Sequence, residues 1–335
     1  MHTIRVWFWN QNECRLRSGW RVLVHAVLTS GTAFGLYYSG VFSPGKLYLA
    51  RIEVGLLIVT IITTSLAARF LDRRALRDLG VHLRRRDWGR DLGFGLVLGL
   101  AEAGGLVLVA SKLGWVQVRP HFRTTESGIG LVLAVLVDQA TFVCVGAFEE
   151  LIRGYQVRNV AEGLAQTRLG GRGALLAGVA VAGLYSTAMH LNQQGTSFWL
   201  YVFANSAFYC LCYLLTGRIA IAIGLHAAWD FFISTVVSLG GAGMNAAALW
   251  VAPLTASGEL AADRGLIALV GLGLDLVSLP LLVAYVRHRY GGIRLDDAMA
   301  VYRTRDISSA GAPVAAQDSQ TISQPRACRP PIQSL

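Results

Sequence analysis

Charge is scarce in this chain. Asp, Glu, Lys and Arg make up only 15% of its 335 residues, hydrophobic residues make up 54%, and the mean hydropathy is +0.49. An ordinary soluble domain carries about a quarter of its residues as charges, so this composition points to a protein whose solvent is the bilayer. Cysteine is sparse as well. Cys14, Cys144, Cys210, Cys212 and Cys328 show no CxxC spacing, so neither a zinc ribbon nor a disulfide framework is indicated. Also missing is the HExxH pair that places two histidines one helical turn apart around a metal. The net charge of +10 comes without a basic patch interleaved with aromatics or a recognised binding motif, which argues against nucleic acid as a partner.

The chain is instead rich in long apolar runs. They cover Trp20 to Phe42 and then residues 47–68, 92–110, 128–150, 174–190, 198–216, 219–238 and 265–286. Each is long enough to cross a bilayer as a helix. The first is too long for a signal peptide and lacks a small-residue cleavage site, so it is expected to be retained. The expected fold class is all-α, a polytopic transmembrane helix bundle of about eight transmembrane helices over residues 20–300. A cytoplasmic segment, 1–19, precedes it, and a disordered tail at 301–335, rich in Ser, Ala, Gln and Pro, follows.

Arg69, Arg73, Arg74, Arg77, Arg84, Arg85, Arg86 and Arg90 crowd the connection between the second and third runs. Arginine-rich loops stay cytoplasmic, which with eight crossings puts both termini inside. The arginine-rich loops suit a bacterial inner membrane. Gly95 and Gly99 form a GxxxG spacing that suits close helix packing.

Few ionisable groups lie inside the runs, and a charge at membrane depth costs at least a few kcal/mol. His25, Arg51, Glu53, Glu102, Asp138 and Asp275 stand apart in sequence and read as structural or interfacial groups. Three clusters stand out. The first is Phe148-Glu149-Glu150-Leu151-Ile152-Arg153, in which Arg153 follows Glu149 by four residues and Glu150 by three and so pairs with either across one helical turn. The second is Ser186-Thr187-Ala188-Met189-His190-Leu191-Asn192, a helix ending in histidine. In the third, Gly224-Leu225-His226-Ala227-Ala228-Trp229-Asp230, the i, i+4 spacing puts His226 and Asp230 on one face.

Two glutamates, two histidines and an aspartate on three hydrophobic segments suit a hydrolytic site in either of two versions. In one, Glu149 or Glu150 with His190 deprotonates a water, while His226 and Asp230, the latter only in its protonated form, donate to a developing oxyanion. In the other, Glu149, His190, His226 and Asp230 hold a divalent metal such as zinc that acidifies the water. The spacing leaves both open.

These motifs, in this order, resemble the CAAX-protease and bacteriocin-processing (CPBP, or Abi) family of intramembrane proteases over residues 128–238. The family pattern is Glu-Glu-x-x-x-Arg, then Phe-x-x-x-His, then His-x-x-x-Asn or Asp, each on its own helix. The resemblance implies that Glu149 is the water-activating base, that His190, Glu150 and Arg153 support it, and that His226 and Asp230 form the oxyanion or ligand pair. Asn205 matches a polar position on the intervening helix and takes a supporting role. The implied activity is endopeptidase cleavage of a membrane-associated protein or peptide, lipidated in some relatives, within the lipid bilayer.

Two departures bear on competence. Two residues separate the glutamate pair from Arg153 where the family has three, which a local helix bulge would absorb. Ser186 stands where the family has phenylalanine. The shortened motif keeps open a non-catalytic scaffold or immunity-type binding protein, and buried carboxylates with histidines keep open a proton-coupled transporter. The reading also sets a geometric condition. A helix starting near Arg172 carries His190 about 27 Å along its axis, so Glu149 and His190 meet only if the helix of Glu149 runs on to about residue 163, with Gln156 to Gln166 emerging into the cytoplasm.

Overall fold

The computed structural model describes residues 7–300, apart from 12, 14, 40, 42–47, 84–85, 125–129, 192–195, 240–246, 264, 294 and 296. The expected tail at 301–335 and Asn192 lie outside the described residues. Each apolar run forms a helix: α1 (Ser18–Tyr38), α2 (Tyr48–Leu66), α3 (Arg86–Lys112), α4 (Leu131–Leu164), α5 (Gly170–Met189), α6 (Thr196–Thr216), α7 (Ala220–Phe231) and, after the short α8 (Ala256–Asp263), α9 (Leu266–Tyr290). The protein is an all-α polytopic bundle. Among the described residues six helices are long and apolar enough to cross a membrane: α2 with its π-helical extension to Leu71, α3, α4, α5, α6 from Phe198, and α9. Helix α7 is shorter, and α1 falls outside that set and buries Arg21 and His25, so the expected count of eight is approximate.

Helix α7 is the axis of the fold. It is apolar on every side, the pattern of a helix enclosed by others, and every residue from Ala220 to Trp229 is buried. Its neighbours approach to backbone contact through glycine. A Cβ on Gly95 of α3 would stand 2.2 Å from the Ile221 carbonyl oxygen, one on Gly99 2.4 Å from that of Leu225, and one on Gly224 2.3 Å from that of Leu92. The GxxxG spacing therefore serves close packing, as expected. On the other side Gly146 of α4 admits the same helix, since a Cβ there would lie 2.9 Å from the Ile223 carbonyl oxygen.

Helix α4 has 34 residues, about 51 Å at 1.5 Å per residue and well beyond a hydrocarbon core of about 30 Å. It runs on to Leu164, which meets the geometric condition. It is α-helical throughout, so the expected bulge is absent. Its last turns do not emerge uncovered: Gln156, Asn159 and Glu162 are buried. They are covered by charge from the N-terminal hairpin β1 (Trp9–Asn10) and β2 (Arg15–Leu16), from α1 and from the segment after α2. Arg15 and Arg74 bond the Glu162 carboxylate, Arg21 Nη1 donates to Asp72 Oδ1 at 2.8 Å, and Asn159 Nδ2 donates to Asp72 Oδ2 at 3.2 Å.

At the other end of α4 lies a three-stranded sheet that the helical pattern does not forecast. Strand β3 (Arg119–Thr124) pairs antiparallel with β5 (Ala247–Ala252), and β4 (Val237–Leu239) pairs parallel with β5. The β3–β5 register slips between Pro120 and Arg123, where Phe122 takes a left-handed φ of 46°. Thr235 Oγ1 donates to Asp138 Oδ2 at 3.1 Å, tying the turn before β4 to α4.

Candidate active site

The middle of α4 presents Glu149, Glu150 and Arg153 to α5, α6 and α7. Arg153 is the hub, buried at 4% exposure. Its Nη2 donates to Glu149 Oε2 at 2.6 Å, its Nη1 donates to Glu150 Oε1, and its Nε donates to Ser186 Oγ of α5 at 2.9 Å. Nη1 also lies 3.5 Å from His226 Nδ1, and the guanidinium carbon sits 5.6 Å over the Tyr209 ring of α6. One cation thus serves two carboxylates, which keeps buried negative charge affordable only while Arg153 stays in place.

His226 stands between two carboxyl groups. Its Nδ1 is 3.1 Å from Glu150 Oε1, its Nε2 is 3.3 Å from Asp230 Oδ2, and Tyr209 stacks on its ring at 5.2 Å. The i, i+4 pairing expected of His226 and Asp230 is therefore present. Glu150 is bonded to Arg153, so the Nδ1 position is a donor. The Nε2 contact needs its proton either on the imidazole or on Asp230.

His190 caps α5. Its Nδ1 is 2.8 Å from the Ser186 carbonyl oxygen. A carbonyl only accepts, so Nδ1 carries a proton, and in the neutral imidazole Nε2 is then the acceptor. Ser186 links His190 to the cluster: its carbonyl holds the His190 ring and its hydroxyl takes Arg153, which in turn bonds Glu149. The two glutamates divide by access: the Glu149 side chain is 20% exposed and that of Glu150 is 3%. With Asp230 at 26%, Glu149 forms the open edge of the cluster.

Six of the residues expected from sequence thus converge: Glu149, Glu150, Arg153, His190, His226 and Asp230. Asn205 does not join them. Its Nδ2 donates to Asp275 Oδ2 at 3.4 Å, between α6 and α9, because its face of α6 turns toward α9 and away from α4. His25 is a packed histidine, bonded to Thr64 Oγ1 at 2.9 Å and stacked on Tyr155 at 3.9 Å.

Among the described residues no group of three or more His, Cys, Asp or Glu is placed to hold a metal ion. Arg153 occupies the space between the two glutamates, and both His226 nitrogens face carboxyl oxygens. As placed, Glu149, His226 and Asp230 are held in ion pairs, and His190 Nδ1 is bonded to the Ser186 carbonyl.

Two contributors escaped the sequence reading. Ser186 was visible only as a departure, yet its hydroxyl takes the Arg153 Nε. Tyr209, which packs on both His226 and Arg153, sits in an apolar run with no pattern to single it out.

Residues 129–232 match the family model described as type II CAAX prenyl endopeptidase Rce1-like. The match covers less than a third of the chain. It takes in α4 to α7 with all six converging residues and agrees with the resemblance drawn from the motifs. No curated protein matches the chain.

Proposed function

We propose that this integral membrane protein is an intramembrane endopeptidase in which Glu149 activates the attacking water. The observation that carries the reading is the division of labour between the glutamates. Glu150 is locked between Arg153 and His226, while Glu149, held by Arg153 through one oxygen, keeps a partly exposed carboxylate beside His190.

A water at that edge gives its proton to Glu149 as its oxygen adds to the peptide carbonyl, with His190 Nε2 accepting the second water hydrogen bond. His226 Nε2 and, when its carboxyl carries a proton, Asp230 donate to the carbonyl oxygen as charge develops on it. Arg153 holds Glu149 ionised and both glutamates in register, and Ser186 and Tyr209 fix Arg153. No step is routed through a metal. The substrate is a membrane-associated protein or peptide presented within the bilayer. The arginine-rich connection after α2 supports both termini on the cytoplasmic side of a bacterial inner membrane.

The shortened motif and the tight Arg153–Glu149 pair favour one competitor, a non-catalytic scaffold of the same family. Cleavage of a mixed set of prenylated and unprenylated membrane peptides by the purified full chain in detergent separates the two. The peptidase reading expects cleavage that Glu149→Gln abolishes and a chelator leaves intact. Cleavage by neither protein overturns it, and loss on chelation replaces the Glu149–His190 mechanism with a metal-bound one.

A further inference from the structure

We propose that Glu102, Asn205, Asp275 and Ser278 form a binding site for a hard divalent cation of the calcium type, inside the bundle and apart from the Glu149 cluster. The four residues lie on three helices, and two apolar clusters bring them to one level. The cluster on one side joins Leu98 of α3, Tyr209 of α6 and Leu282 of α9. The cluster on the other joins Leu106, Tyr201 and Leu274 of the same three helices. Glu102 falls between Leu98 and Leu106, Asn205 between Tyr201 and Tyr209, and Asp275 with Ser278 between Leu274 and Leu282.

Direct contacts fix the register on either side of this layer. Helices α3 and α9 run antiparallel: Phe94 stacks on Tyr285 at 4.0 Å, and a Cβ on Gly105 would stand 3.1 Å from Leu274 Cδ2. Between those two rungs Glu102 comes level with the turn of α9 that carries Asp275 and Ser278. Both polar residues share the buried stripe of α9 with Gly271 and Leu282. Helix α6 closes the third side, where a Cβ on Gly271 would stand 2.8 Å from the Tyr201 ring and Asn205 Nδ2 donates to Asp275 Oδ2 at 3.4 Å.

The layer is rich in acceptors and short of donors. Glu102 is 2% exposed and Asp275 5%, yet both Glu102 oxygens and Asp275 Oδ1 are buried without a hydrogen-bond partner among the described residues. Arginine and lysine on these helices stand near the ends, at Arg86, Arg90 and Lys112 of α3 and Arg287 and Arg289 of α9. Buried carboxylates at membrane depth need compensating charge. The atoms available to supply or receive it are oxygens: the two carboxylates, the Asn205 amide oxygen and the Ser278 hydroxyl. Such a set selects a hard cation, and two carboxylates neutralise a divalent one. Calcium accepts about six to eight oxygens in irregular arrangements, whereas magnesium keeps several waters, for which a layer closed by apolar clusters has little room. The bound cation would tie α9 to α3 and α6. Its effect is on stability, so chelation below the unfolding transition leaves the Glu149 chemistry intact.

The test follows thermal unfolding of the purified full chain in detergent, with calcium, magnesium or sodium chloride added after chelation. Calcium is expected to raise the midpoint by about 3 °C or more, at free concentrations at least about tenfold below those magnesium needs, with sodium at equal ionic strength leaving it in place. Glu102→Gln and Asp275→Asn each abolish the calcium response. Because each removes a buried uncompensated charge, neither lowers the midpoint of the chelated protein. Ser278→Ala keeps both carboxylates and weakens calcium about tenfold, which tests the site even where the other variants fail to fold. A calcium response that survives Glu102→Gln belongs to another site and overturns the proposal, as does a midpoint indifferent to all three cations. A response to sodium alone overturns the divalent assignment. The readout is unfolding rather than cleavage, so these outcomes do not depend on the peptidase reading.

Discussion

Helix α4 carries two buried charge clusters, and their difference separates a clamp from a site. Near its C-terminal end Glu162 and Asp72 are enclosed, with side chains at 1% and 0% exposure, by Arg15, Arg21 and Arg74 at 1%, 1% and 6%. Cations outnumber the carboxylates there, and Asn159 adds a further bond to Asp72. Half-way along the helix one arginine serves two glutamates, and Glu149 and Asp230 remain open at 20% and 26%. The first arrangement has its carboxylates fully committed and can only hold. The second leaves acceptor capacity at an exposed edge, which is what proton transfer to a water requires.

The strongest break in this comparison is Arg153→Met, the one change expected to make the site fail as a clamp would. It strands two buried carboxylates, so it should cost about 3–5 kcal/mol of stability and remove activity as well. Thermal unfolding in detergent alongside peptide cleavage measures both. Glu162→Ala should lower the unfolding midpoint by a comparable free energy, about 3–5 kcal/mol, while the folded fraction cleaves at the native rate. If its kcat falls with Glu162, the two clusters are coupled along α4.

Glu149→Gln reverses that pattern. It keeps the side-chain shape and one acceptor for Arg153, so the midpoint should move little, while kcat falls by about 100-fold or more. A large loss of stability would place Glu149 with the clamp. Ser186→Ala sharpens the comparison at smaller scale. It removes the acceptor of Arg153 Nε, a bond to a charged group worth about 1.5–3 kcal/mol, and should lower kcat by loosening Glu149 without changing the pH profile.

The helical bundle was legible because long apolar runs have few alternatives in a bilayer, although six of the described helices, not eight, are long and apolar enough to cross one. The i, i+3 and i, i+4 spacings of Glu149, Glu150 and Arg153, and of His226 and Asp230, were legible because they are local. The length of α4 followed from requiring Glu149 and His190 to meet. What was not legible depended on partners distant in sequence. Gln156, Asn159 and Glu162 look like a segment heading for water until Arg15, Arg21 and Arg74 are brought to them. The β3–β5 pairing joins segments more than a hundred residues apart, and strand ladders of that kind have no local signature in a chain dominated by helical runs. The Ser186 departure looks like damage until Arg153 is seen to use its hydroxyl.

Asn205 gives the smallest expected effect and the cleanest control. Its motif position suggested support for the site, but its amide is spent on Asp275 across α6 and α9, while Asp275 Oδ1 and both Glu102 oxygens are buried without hydrogen-bond partners among the described residues. Asn205→Ala should therefore weaken the α6–α9 contact by about 1 kcal/mol and leave the response of kcat to Glu149→Gln unchanged. A double-mutant cycle decides the matter: independent effects on log kcat fix Asn205 as a packing residue, whereas a coupling energy of about 0.5 kcal/mol or more would bring it back to the catalytic cluster. Independence is expected because the contact that positions Glu149 runs through Arg153 to Ser186 and Tyr209, and none of those side chains bonds Asn205 or Asp275.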